Sequence, residues 1–397
     1  MWLDILTSLG IFILFPILTC SLFDTSLTEG VKICFYGNTA GERGTEIAMY
    51  EYADYSERLL KMKSHIIFPR IIETSNVLSD LADKTTASPI FGGAGCRASL
   101  AKFQKRFNVS FCGEPYSEEL LDNINKEISS TEDNYIYPIC NNLALEAKRD
   151  FSCDLLYVQK GGLLKSPPQY PDAFGVLPTM VHAVFNWEPH GNVYAGISPA
   201  IKAYRPRDRG NIVPYMVKPP DPALLASAHS YREHFNIPKQ ALVVCRHGGD
   251  ESFNLHYVKH AIITLIQQYN ESQLQFLFLG TDHFKHELIQ EAKHTNDPQL
   301  FIKNLNKTRK QIHFIPTTSN EGIKENYFRT CDCMLHARDI GETFGLAIAE
   351  FSIRNKPIIT QQAGKRYSDF HIKILKEKGY YYNNEATVVR KISHFVE

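Results

Sequence analysis

Short runs of apolar and β-branched residues recur along most of this chain, and segments with helical spacing separate them. VKICFY (31–36) leads into a glycine-containing turn and a helix expected from about Thr45 to Lys63. HIIFPRII follows, then the helical AKFQKRF with the strand VSFC, and later DLLYVQK (154–160) and TMVHAVF (179–185). Strands joined by helices of this length imply βαβ units, hence a parallel sheet between two helical layers.

Around 211–222 the pattern changes. IVPYMV is strand-like, but KPPDPALL after it carries prolines that neither a helix interior nor a central strand tolerates. The alternation then restarts with LVVCR, the helix HYVKHAIITLIQQY, LQFLFLG, QIHFIP, CDCMLHA, the helix TFGLAIAEF and PIIT. This predicts two α/β domains, 30–217 and 218–397, with the C-terminal edges of both sheets lining a cleft between them.

Ahead of them, residues 1–29 hold a charge-free stretch from Ile5 to Phe23, close to the ~20 residues that span a bilayer. It reads as a signal peptide or as an uncleaved membrane anchor. The slightly acidic flank (Asp24, Glu29) favours the lumenal side for the body, in the endoplasmic reticulum, Golgi or secretory pathway, with a cytoplasmic location left open. Cysteines do not decide this. Cys34, Cys245, Cys331 and Cys333 sit in apolar strand-like runs as small hydrophobes, while Cys96, Cys112, Cys140 and Cys153 lie between runs, free to pair. Sequons at Asn108, Asn270 and Asn306 are no more than chance gives. With 43 basic against 43 acidic side chains and no basic run, nucleic acid is not an expected partner.

The sharpest local signal is GETFGLAIAEF (341–351), which follows a strand and opens an apolar helix. Thr343 reads as an N-cap, placing the amides of Phe344, Gly345 and Leu346 in the first turn, where they lack intrahelical partners and favour an anion such as a diphosphate. Glu350 lies eight residues beyond Glu342. Eight helical steps rise roughly 12 Å, wider than the ~5–9.5 Å of paired glycosidase carboxylates, and suit two acids gripping opposite ends of one elongated molecule. A plain solvated helix face is the bland alternative.

GETFGLAIAE resembles the E-x7-E signature of retaining nucleotide-sugar glycosyltransferases, the glycogen-synthase-like group (glycosyl transferases group 1), with the GT-B fold of two Rossmann-like domains. GNTAGERGTEIAMYEYA, VHAVFNWEPHG, VPYMV and CRHGGDESF follow the order of segments in that group. The resemblance implies transfer of a sugar from a nucleoside-diphosphate donor to a hydroxyl of a glycan, glycoprotein or glycolipid, with retention, and without metal or separate cofactor. It assigns Glu342 to the sugar hydroxyls, Glu350 to the ribose, and Arg246 to the donor phosphates. It also places His182 near the anomeric end. By residue type alone, a lone histidine on an apolar strand is more often a satisfied core residue. The loop with Gly41, Arg43 and Gly44 would face phosphate or acceptor.

Two departures stand out. Many members carry a lysine shortly after the arginine; RHGGDESFNL has none, leaving His247, or Arg43, Lys365 or Arg366, to supply charge. Many also end in a helix that crosses back to the first domain. Two rivals therefore remain: an epimerase or hydrolase on the same scaffold, and a catalytically degenerate nucleotide or glycan binder.

Overall fold

The computed structural model describes residues 28–37, 40, 44–69, 94–112, 140, 143–164, 176–203, 211–249, 252–281, 284, 287, 310–362 and 368–397. Residues 1–27 of the expected 1–29 leader, Gly41, Arg43, Lys365 and Arg366 lie outside them. Among the described residues no helix is long and apolar enough to cross a membrane.

The first sheet contains β1 (Lys32–Tyr36), β2 (Lys63–Pro69), β3 (Asn108–Cys112), β4 (Leu155–Lys160), β5 (Thr179–Ala183), β6 (Val193–Gly196) and β7 (Asn211–Ile212). All its pairings are parallel, in the order β3-β2-β1-β4-β5-β6-β7. β1 is buried along four of its five residues, because helices cover both faces of a parallel sheet. Helix α1 (Gly44–Leu60) packs Met49 and Ala53 with α2 (Ala94–Arg106) on one face. Helix α3 (Leu143–Arg149) covers the other with Leu143, Ala144 and Ala147.

Residues 213–241 lead to the second sheet, with only the short α4 (Pro222–Ser227) between. Its strands are β8 (Leu242–His247), β9 (Leu274–Leu279), β10 (Ile312–Ile315), β11 (Cys333–His336), β12 (Ile358–Gln361) and β13 (Gly379–Tyr382). They too are parallel, in the order β10-β9-β8-β11-β12-β13. The order reverses between β8 and β11, and a crevice opens at the carboxyl ends of strands at such a point. Helices α5 (His256–Gln268) and α9 (Glu385–Val396) share one face, where Ile262, Leu265, Val388 and Ile392 are completely buried. The last helix therefore packs within the second domain. Helices α6 (Glu321–Thr330) and α7 (Leu346–Ser352) cover the opposite face through Tyr327, Phe328, Ile348 and Phe351; α8 (Phe370–Leu375) adds Leu375.

Three disulfides correct the reading of several cysteines as free thiols. Cys34 pairs with Cys153, Cys112 with Cys140, and Cys245 with Cys331, at Cα separations of 5.8, 5.6 and 5.7 Å, inside the usual range for a bridge. Cys333 alone of those in strand runs stays a buried thiol. Neighbouring apolar strands brought these partners together across the sheet and its flanking segments, which sequence spacing does not encode.

Candidate functional site

The reversal point of the second sheet collects most of the residues that the sequence singles out. β8 ends in Arg246 and His247, and β11, beside it, ends in His336. Arg246 is only 2% exposed and curls under its own loop. One terminal nitrogen donates to the His247 carbonyl; the other donates to the Ser252 carbonyl at 3.0 Å and Oγ at 2.7 Å. The guanidinium lies 5.7 Å over the Phe253 ring, and its buried Nε has no partner among the described residues. Burial pushes its pKa down to about 10, while the nearby Glu342 charge opposes that fall. Gly248 makes this fold possible. Its φ is +137°, and a Cβ there would meet both terminal nitrogens of Arg246 at 2.7 Å.

Glu342 stands on a two-residue strand, Gly341–Glu342, paired with Ser368–Asp369. His336 Nε2 donates to its Oε1 at 3.0 Å and Arg338 Nη1 to its Oε2 at 2.9 Å. Thr360 Oγ1 lies 2.9 Å from His336 Nδ1, so a neutral imidazole satisfies both neighbours. Burial alone would raise the Glu342 pKa; the His336 hydrogen bond and the Arg338 charge outweigh it and hold the group at about 2.

The helix that follows starts later than expected. Gly345, with φ +86°, is the N-cap residue, and α7 begins at Leu346. Thr343 is therefore not the cap, and Phe344 and Gly345 precede the helix, because a left-handed residue cannot continue a right-handed one. A Cβ on Gly345 would sit 3.3 Å from Glu342 Cβ, so the chain wraps closely around that glutamate. The helical arithmetic between Glu342 and Glu350 consequently does not apply over its first steps. Phe344 is buried against Tyr215 of the first domain and Phe370, with centroids at 5.3 and 6.1 Å. Leu346 packs near Gly44, where α1 begins.

Glu350 is held at both oxygens, by His247 Nε2 at 3.1 Å and Lys324 Nζ at 2.5 Å. Burial opposes its charge, but Lys324 and His247 prevail and keep it below the usual carboxylate range. His247 is itself buried, which pushes its pKa down, and its Nδ1 has no partner among the described residues. Two residues missed by sequence reading thus join the site. Arg338 stands four residues before Glu342, a spacing that was open to inspection; Lys324 arrives on α6, which only the fold brings alongside.

His182 lies apart. Tyr157 Oη contacts its Nδ1 at 2.6 Å and its Nε2 donates to the Val213 carbonyl at 2.7 Å. Its ring is enclosed by Tyr52, Tyr157 and Tyr215, and burial lowers its pKa to about 4. Both nitrogens are engaged inside the first domain, the geometry of a satisfied core histidine, and Tyr215 lies between it and Phe344.

Between the domains runs an open cleft. One wall is the α1 face with Glu46, Tyr50 and Glu51, joined by Lys102 of α2; the other carries Glu321, Lys324 and Glu350. Glu321 bridges the two sides, accepting from Lys102 at 3.2 Å and from Lys218 at 3.3 Å.

No family model and no curated protein sequence matches the chain. Among solved structures, HepE of Anabaena in complex with UDP-glucose is similar with a TM-score of 0.56 at 13% identity, covering 92% of this chain and 90% of that one. A glycosyltransferase from Rickettsia africae gives 0.53 at 13% identity, covering 92% and 88%. TarM gives 0.52 at 10% identity over 94% and 93%. These likenesses define a fold class: the chain is a two-domain α/β protein of GT-B architecture.

Proposed function

We propose that this protein is a glycosyltransferase that moves a sugar from a nucleoside-diphosphate donor to a hydroxyl acceptor, a glycan or glycoconjugate, with retention at the anomeric carbon. The observation that carries the reading is the constellation at the reversal point. There Glu342 and Glu350 are fixed as anions, and Arg246, His247, Lys324 and Arg338 gather around them. A carboxylate has about four acceptor positions, so each glutamate keeps room for donor hydroxyls beside its two protein partners. Glu342 would accept from the transferred sugar and Glu350 from the ribose.

Arg246 must exchange its carbonyl partners for phosphate oxygens. Phosphate oxygens add opposite charge and bidentate geometry to what the neutral carbonyls offer the guanidinium, which favours that exchange. Lys324 and Arg338 fill the place of the lysine missing after Arg246. In this reading side-chain cations, rather than a metal, neutralise the leaving diphosphate, which takes the acceptor's proton on the same face. The protein orients the reactants and excludes water by domain closure. Three disulfides support passage through an oxidising, secretory compartment.

The test is product analysis with a panel of nucleotide sugars, with and without acceptor mixtures. Arg246→Ala should lower turnover by roughly 100–1000-fold. Intact donors throughout, or unchanged turnover in this variant, would refute the proposal. One observation favours a second reading, a nucleotide or glycan binder without turnover: the Arg246 guanidinium spends its terminal nitrogens on its own loop. Tight diphosphate binding without product would support it.

A further inference from the structure

One largely buried carboxylate on the cleft wall has no ion pair among the described residues. Glu51 lies in the middle of α1 and is 5% exposed, yet its carboxylate makes no hydrogen bond or ion pair among the described residues. It belongs to the stripe Glu46, Ile47, Tyr50, Glu51 that faces the cleft, at the i, i+1, i+4, i+5 spacing of one helix face. Neither of its carboxylate oxygens is among the sealed side-chain atoms without a partner, so the group reaches the cleft it lines, while burial of the residue pushes its pKa up. The cations nearest to it, Lys218 and Lys102, are both committed to Glu321.

The direction in which a donor would lie follows from the proposed function, on which this step rests. With the sugar at Glu342 and the ribose at Glu350, the base extends past Glu350 into the part of the cleft shared by Lys324, Glu321 and Glu51. We propose that Glu51 reads the edge of that base and that the site selects guanine. A carboxylate accepts two parallel N–H groups. Guanine presents two adjacent donors, N1–H and the N2 amino group, with the O6 acceptor beside them. Adenine and cytosine each offer one amino group next to a bare ring nitrogen, and uracil flanks its single N–H with two carbonyls, which would face the carboxylate oxygens. Lys218, within electrostatic reach of Glu51, keeps a third ammonium hydrogen beside its two Glu321 contacts, and that hydrogen supplies the donor that O6 requires.

The test is calorimetric binding of GDP, UDP, ADP and CDP to the full chain, wild type and Glu51→Ala. A bidentate base contact discriminates by about tenfold to a hundredfold. GDP should therefore bind at least about tenfold tighter than the others, and Glu51→Ala should erase that preference while weak diphosphate binding persists. Glu51→Gln should unfold at no lower temperature than wild type, since it breaks no hydrogen bond or ion pair among the described residues, and this separates loss of recognition from loss of folding. UDP or ADP binding as tightly as GDP, or a GDP preference that survives Glu51→Ala, overturns the guanine assignment and leaves the donor reading standing. Failure of all four diphosphates to bind overturns both.

Discussion

Replacing Glu342 by glutamine isolates the charge at the centre of the site. The folded carboxylate sits at about 2 against an ordinary 4.5, because His336 and Arg338 donate to it. A group whose pKa is depressed by folding contributes its stability above the unfolded value and loses it as pH falls toward the folded one. The displacement corresponds to about 3 kcal/mol at neutral pH, fully present above about pH 4.5 and gone near about pH 2. Glutamine keeps the shape and one acceptor but cannot titrate. Urea unfolding of both proteins, followed by circular dichroism from about pH 7 to about pH 3, should show wild type ahead by about 3 kcal/mol at the upper end, with the gap shrinking below about pH 4.5. The remaining carboxylates titrate in both proteins and cancel. A gap that stays constant with pH would mean that Glu342 acts through packing alone. No gap at neutral pH would mean that its charge does not stabilise the fold at all.

Two further outcomes follow from the backbone and the bridges. Gly345→Ala places a Cβ where φ is +86° and the nearest atom, Glu342 Cβ, is 3.3 Å away; it should cost about 1–2 kcal/mol, read as a lower Tm. Cys331→Ser opens a loop of 86 residues, for which chain entropy assigns up to about 4.6 kcal/mol. The urea midpoint should fall accordingly, and a reductant should lower the wild-type midpoint further than that of the variant.

Much of the architecture was legible because parallel strands buried on both faces are written as short continuous apolar runs. VKICFY, DLLYVQK, LVVCR and LQFLFLG all became central strands. IVPYMV did not: only Ile212 of that run joins a strand, since Pro214 removes a ladder donor. GYYY and VYAG, at or near sheet edges, were too short to stand out. At the site, the E-x7-E spacing located both glutamates, yet Gly345 shifted the helix start in a way that residue type alone left undecided. Lys324 and the disulfide partners were illegible because they meet only through tertiary packing, between segments far apart in the chain.

The tie between Lys102, Lys218 and Glu321 has a kinetic consequence. These half-exposed pairs join α2 and the interdomain segment to α6, so parting the two walls stretches ionic contacts that salt weakens. Ionic strength then acts on this tie as a lubricant: on the proposed reading, moderate salt should speed entry of the nucleotide sugar even while it loosens that ligand's own grip.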